Sequence, residues 1–336
     1  MQKKLLLFLS CFLLSLPMIK ADLPFRNHRY DAFKVLSTND QSIVFIGNSI
    51  TNMNEWWETF SSNPNVMNRG VSGAVTDEAL ANIDAVAAGK PAKVFMMIGT
   101  NDLGTEGINN AAHVLQNTKF MVDYLQKVSP ATQIYIQSIL PSTNGLRTLE
   151  VEKETNAALK AFCAERGLTY IDLWDDLLSL TQNQTHTFDG LHLKASGYQV
   201  WASKIAQYVG SPCAYPANAV SAQQHGGIGN AAYAMRATCF SMLPVASDDV
   251  LIIGDEMIHG GEWHELLQSD KVKSRGTGWG FPGPGLDITS NEIPLIFNNL
   301  SGKGMPSRIF LHIGVSEVTG SADLTRSEER RGGKEC

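Results

Sequence analysis

The sequence lacks an excess of basic charge: 27 Lys and Arg against 33 Asp and Glu leave a formal net charge of −6. A non-specific nucleic-acid binder carries the opposite signature, and no interleaving of basic and aromatic residues offsets it. There is no CxxC pair and no cluster of His and Cys, so neither a metal nor another cofactor is implied. Apolar runs of membrane-spanning length are missing as well; the run from Leu5 to Ile19 is too short and too early for a comfortable span. What remains is 336 residues, 43% hydrophobic and 18% charged, an ordinary globular composition with room for one large domain or two.

Lys3 and Lys4 precede that apolar run, and Lys20-Ala21 ends it before a polar stretch. A charged start, a short apolar middle and a small residue at the end predict an export signal over residues 1–21, cleaved after Ala21. The mature chain is therefore expected in the periplasm or outside the cell, with no membrane span left. Cys11 lies in the middle of the apolar run, which speaks against a lipid attachment site. Cys163, Cys213, Cys239 and Cys336 then remain, and four cysteines allow three full pairings among which the sequence does not choose. Cys213 and Cys239 flank a connecting region and are placed to staple it; buried thiols are the other reading.

From Ser42 to Val209 strand and helix patterns alternate. Ile43 to Ile46 is an apolar, largely β-branched run of the kind a buried parallel strand shows, and Gly47-Asn48-Ser49 ends it. Further strands are expected at Val66–Gly70, Ala92–Ile98, Gln133–Leu140 and Leu168–Leu173. Helices are expected at Tyr30–Leu36, Thr76–Ala88 (with Thr76 as a possible cap), Ala111–Val128, Glu150–Arg166 and Lys194–Val209. The fold class that follows is α/β: a three-layer α/β/α, flavodoxin-like arrangement around a parallel sheet of about five strands, spanning residues 22–210.

Residues 211–248 read as a connection. Beyond them, Asp249 to Leu267 repeats the pattern of Ser42 to Phe60, with Gly254 falling on Gly47, Glu262 on Glu55 and Trp263 on Trp56. Val272–Gly276 matches Val66–Gly70, and Pro306–Gly314 matches Pro91–Gly99. Residues 249–320 thus look like a partial second copy, without counterparts of the Ala111 helix or of Asp189 to His192. Residues 321–336 resemble no continuation and read as disorder or a sequence artefact.

Four short pieces fall at the carboxyl ends of predicted strands, where ligands bind in open α/β sheets: Gly47-Asn48-Ser49, Gly70, Gly99-Thr100-Asn101-Asp102 and Asp189-Gly190-Leu191-His192. A serine hydroxyl needs a base within hydrogen-bond reach to act as a nucleophile. His192 is the candidate base for Ser49, and Asp189, three residues earlier, the candidate that fixes its tautomer. Taken together, and in this order, the pieces resemble the SGNH hydrolases, also called GDSL-like esterases and lipases. The resemblance covers Ser42 to about Val209 and, in broken form, Asp249 to Gly320.

It implies a serine esterase whose oxyanion donors are the Ser49 amide, the Gly70 amide and the Asn101 side chain. Asp102 is expected to order its loop and not to act as an acid. Asn48 departs from the family pattern, which usually has aspartate before the serine. In the second copy Glu256 falls on Ser49 and Ser316 on Asn101, so no active site is expected there. Polar loops such as Ser142 to Gly145, together with export, favour a small acyl group on a carbohydrate or other small-molecule alcohol. A lipase or lysophospholipase, and a non-catalytic glycan-binding protein, are the alternatives. Trp56, Trp57 and Trp174 are read as core residues before pocket residues.

Overall fold

Short β-branched and aromatic segments, buried on both faces, build the main sheet. They are β1 (Ile43–Gly47), β2 (Val66–Gly70), β3 (Lys93–Met97), β4 (Gln133–Gln137) and β5 (Thr169–Ile171). All pair in parallel, in the order β2-β1-β3-β4-β5. The chain leaves β1 toward one edge and returns to its other side at β3, so the sheet's switch point opens beside the end of β1. The computed structural model describes residues 26–104, 110–177, 186–213, 236, 238–240, 243–254, 256–276 and 306–312. The expected export signal at 1–21, most of the connection, Ser316 and the 321–336 tail lie outside the described residues.

Alternation along the strands sends two different side-chain sets to the two faces. On one face Phe45, Phe95 and Tyr135 are register partners, and Trp56 caps the column. Their rings stack at 4.5 Å (Trp56–Phe45), 4.9 Å (Phe45–Phe95) and 4.4 Å (Phe95–Tyr135). Trp56 comes from α3 (Trp56–Thr59), after α1 (residues 26–35) and α2 (Ser49–Asn52). The opposite face carries Val44, Ile46, Val94, Met96 and Ile136. Those pack against α4 (Thr76–Ala81), α5 (Ile83–Ala87), α7 (Ala111–Val128) and α8 (Leu149–Arg166), with α6 (Thr100–Gly104) between. The closing helix α9 (Ala195–Val209) covers the aromatic face with Tyr198, Trp201 and Ile205.

Local chemistry sets the helix ends. Asn110 and Thr148 accept hydrogen bonds from Ala112 N and Val151 N at the starts of α7 and α8, and Gly167 closes α8 at φ 66°. One expected helix is two: Thr76–Ala88 breaks at Asn82, whose side chain returns to Glu78 O at 2.9 Å. Thr76 is not its cap; Val75 holds that position, and the Thr76 amide and hydroxyl both go to Asp102. Of the two readings left open for Cys213 and Cys239, the structure shows the second. Cys213 and Cys239 are buried thiols, not a disulfide, and burial pushes the Cys239 thiol up to about 12. Trp56 and Trp57 are core side chains, 0% and 2% exposed.

A second parallel sheet follows, built from β6 (Val250–Gly254), β7 (Val272–Gly276) and β8 (Arg308–His312) in the order β7-β6-β8. Its registers, with Gly254 opposite Gly276 and His312, mirror those that set Gly47 opposite Gly70 and Met97. Two short helices follow β6, α10 (Glu256–His259) and α11 (Trp263–Leu266). Among the described residues no helix is long and apolar enough to cross a membrane.

Phe95 is fully buried between two rings, so Phe95→Ala should lower unfolding free energy in urea by about 3–5 kcal/mol. A loss below about 1 kcal/mol would show that the column relaxes around the cavity. A second expectation concerns Glu152 of α8, fully buried, which accepts from Ser142 N at 3.1 Å and Ser142 Oγ at 2.5 Å. Burial pushes its pKa up to about 7, against the opposing pull of those bonds and of Arg147. The folded state then holds a proton that the unfolded chain, near the ordinary value of about 4.3, has released. Stability should fall as pH rises from 5 to 7.5, and Glu152→Gln should flatten that slope in thermal melts; equal slopes would contradict the assignment.

Candidate active site

β1 delivers the chain to Gly47 with no room to spare: a Cβ there would meet Thr51 Oγ1 at 2.0 Å and Met97 O at 2.7 Å. The turn that follows is Asn48, and α2 begins at Ser49. Asn48 Oδ1 accepts from Ile50 N at 3.0 Å, the cap an aspartate would also supply, while its Nδ2 has no hydrogen-bond partner among the described residues. Backbone bonds from Asn52 N to Asn48 O and from Met53 N to Ser49 O complete the single turn. Tyr198 of α9 reaches over and donates to Ile50 O at 2.7 Å.

Asp189 to His192 lies on the loop between β5 and α9. Asp189 Oδ1 accepts from the amides of Leu191 (3.0 Å) and His192 (2.8 Å), folding the loop onto its own carboxylate. Gly190 has φ 79°, and a Cβ would strike Thr143 Oγ1 at 2.5 Å, so glycine is required twice over. Thr143 N donates to Gly190 O at 2.8 Å, tying this loop to the one after β4.

These two pieces meet. Ser49 Oγ lies 2.9 Å from His192 Nε2, and His192 Nδ1 lies 2.7 Å from Asp189 Oδ2. A carboxylate accepts only, so Nδ1 carries the proton and Nε2 presents its lone pair to the Ser49 hydroxyl. Burial raises the Asp189 pKa. The bond and charge of the His192 ring, with the two amides, outweigh that and hold it at about 2. Ser49 is buried and the ring is partly open to solvent.

The expected oxyanion donors are placed less uniformly. The Gly70 amide is already used: it donates to Asn68 Oδ1 at 2.8 Å, a short asparagine turn the residue types alone did not reveal. Val71 N is used too, by Gly47 O at 3.0 Å. Among the described residues the next amides, Ser72 N and Gly73 N, make no hydrogen bond. Asn101, in the first turn of α6, sends one Nδ2 hydrogen to Ala74 O at 2.9 Å, which turns its side chain toward the segment following β2. Asp102 is fully buried; it accepts from Thr76 N at 3.0 Å and from the Thr76 hydroxyl, joining α6 to the start of α4.

Sequence reasoning passed over the asparagines under the site. Asn68 Nδ2 bonds to Asn52 O and Asn54 O, both at 3.1 Å, and Ser72 Oγ donates to Asn52 Oδ1 at 2.9 Å. The signal was present: an asparagine inside a buried strand needs partners. In the second sheet Glu256 begins α10, so the strand–turn–helix path recurs with glutamate at the serine position. Among the described residues no three His, Cys, Asp or Glu side chains gather as a metal site.

Residues 45–200 match the GDSL-like Lipase/Acylhydrolase family. The match ends before the second sheet. No protein of curated function matches the chain. Among solved structures, one described as a platelet activating factor from Streptococcus pneumonia is 25% identical, with 60% of this chain and 98% of that one aligned at a TM-score of 0.51. An acylhydrolase assigned in Bacteroides fragilis is 26% identical over 52% of this chain and 90% of its own, at a TM-score of 0.46. A GDSL-like lipase from Bacteroides thetaiotaomicron is 24% identical over 55% and 98%, at 0.48. With a five-stranded parallel sheet between helical layers and a matched segment running from β1 into α9, residues 45–200 resemble the GDSL-like Lipase/Acylhydrolase family.

Proposed function

We propose that the protein is a serine esterase that removes a short acyl group, acetyl in the first instance, from a carbohydrate. The reading is carried by the hydrogen-bonded line from Ser49 Oγ through His192 to Asp189. His192 Nε2 takes the Ser49 proton as Oγ attacks the ester carbonyl, and Asp189 stabilises the imidazolium that results. The tetrahedral oxyanion is met by the Ser49 amide and Asn101 Nδ2. A third donor comes from the turn after Gly70, where the Ser72 amide makes no hydrogen bond among the described residues. Collapse breaks the bond to the alcohol, which leaves with the proton from His192. Water, deprotonated by the same nitrogen, then attacks acyl-Ser49; the acyl–Oγ bond breaks, the carboxylic acid departs and His192 returns the proton to Ser49 Oγ.

The short acyl group and the sugar rest on polar surroundings: Thr143 and Asn144 stand beside the Asp189 loop. Lipase action would instead call for a long apolar channel. Hydrolysis of p-nitrophenyl acetate should be lost in Ser49→Ala, and the wild-type rate should fall from acetyl to octanoyl. Equal rates in wild type and Ser49→Ala would sink the enzyme reading, and a rising series would make it a lipase. Acetate release from acetylated sugars then identifies the alcohol.

Export to the periplasm or medium is part of the proposal, resting on the Lys3-Lys4 start, the apolar run and Ala21. Amino-terminal sequencing of the protein from an exporting host should begin at Asp22. A chain beginning at Met1 and retained inside the cell would reject it.

A further inference from the structure

The second sheet is joined to the first by a seam of buried ion pairs whose members exchange places under the sequence repeat. Arg29 pairs with Glu262 at 2.8 Å, and Arg236, 207 positions after Arg29 and so at the same offset as the repeat, pairs with Glu55, the counterpart of Glu262, at 2.7 Å. Arg29 also donates to Gly70 O and Gly260 O; Arg236 donates to Gly276 O and Met53 O. Arg69 pairs with Glu265 at 2.7 Å, and Arg275 with Glu58 at 2.7 Å. The Phe33 ring lies under Arg29 and Arg69, as the Phe240 ring lies under Arg236 and Arg275.

Two further contacts join residues to their own counterparts, 207 positions on: Asn52 Oδ1 to His259 Nε2 at 3.2 Å, and Trp57 stacked on His264 at 4.5 Å. In a two-fold interface residue i touches j of the partner while j touches i, and residues on the axis touch themselves. The seam has that form, closed within one chain. Four arginines, none more than 3% exposed, would not sit there without these partners.

The seam also grips one particular part of the first sheet. His259 and Ser72 Oγ both bond to Asn52 Oδ1, Arg236 holds Met53 O, and Arg29 holds Gly70 O. Asn52 and Met53 close the one-turn helix that begins at Ser49. A single turn has no stability of its own, so its geometry must be imposed from outside.

We propose that the second sheet with α10 and α11 is a built-in partner subunit: a partial copy of the first half, docked as in a symmetric dimer, that holds the Ser49 turn and the end of β2 in working alignment. Its positioning residues are His259 and Arg236, which act through Asn52 and Met53. The occupant this face fits is a second copy of the same fold, supplied here by the chain itself. The kinetic part of the inference rests on Ser49 being the nucleophile.

The full-length chain tests this with three variants. His259→Phe keeps the ring and removes the N–H; His259→Gln keeps a donor near the Nε2 position; Arg236→Lys keeps the charge but cannot reach both halves at once. His259→Phe should lower kcat for p-nitrophenyl acetate about 10-fold with KM within about twofold, and His259→Gln should recover most of it. Hydrogen exchange should quicken in residues 49–53 in His259→Phe and Arg236→Lys while residues 111–128 stay protected.

A folded His259→Phe with wild-type kcat and unchanged exchange over 49–53 overturns the proposal. So does a uniform rise in exchange over the whole chain in both His259→Phe and Arg236→Lys, which marks plain destabilisation. If His259→Phe does not fold, Arg236→Lys decides by the same readouts. Should the wild type hydrolyse no ester, the enzyme reading fails, and local exchange still decides the bracing.

Discussion

Parallel register is the constraint on which the site depends. Hydrogen bonding sets Gly47 level with Gly70 on one side and with Met97 on the other. Everything built just past those residues therefore emerges at one height: Ser49 from β1, Ser72 from β2, and the Gly99–Asn101 segment from β3. A slip by one residue would turn Phe45 to the wrong face and separate Ser49 from the segments that follow β2 and β3. The stacked column from Trp56 to Tyr135 opposes such a slip, because its rings are register partners across three strands. Packing and chemistry are thus fixed by the same pairing.

The loop carrying His192 arrives by different means. It is no strand end held by a ladder but a turn folded around the Asp189 carboxylate and pinned through Gly190 to Thr143. Asp189 serves twice, shaping the loop with one oxygen and orienting the imidazole with the other. The Ser49 turn is equally short of internal support. Tyr198 secures it from one side, and Asn52, Met53 and Gly70 are secured from the other through the seam. The side chains that meet here lie on short, weak elements, and long-range bonds keep them in place.

Much of this was legible in the residues. The Ala111–Val128 helix has the bounds its apolar spacing predicts, and the glycine after Arg166 ends α8 in the left-handed region as expected. Three of the four short blocks lie at strand ends, which parallel pairing brings together, while the Asp189–His192 block comes to them on a loop beyond β5. Rotamers and long-range bonds were not legible. Whether the Gly70 amide is available depends on which way Asn68 turns, and Asn68 turns back onto it. Asn82 interrupts a helix that propensity alone would run through, by bonding to Glu78 O. Nothing in the sequence said that Arg29 would reach Glu262 and Arg236 would reach Glu55, since those pairs follow only from how the two sheets pack.

The central claim, that Ser49 is an activated nucleophile, is tested most directly by covalent labelling of the folded protein with a fluorophosphonate, read by intact and peptide mass spectrometry. The account predicts a single adduct, on Ser49, that forms far more slowly when His192 is replaced by alanine. A folded chain that takes no label, or takes it on a different serine, would contradict it.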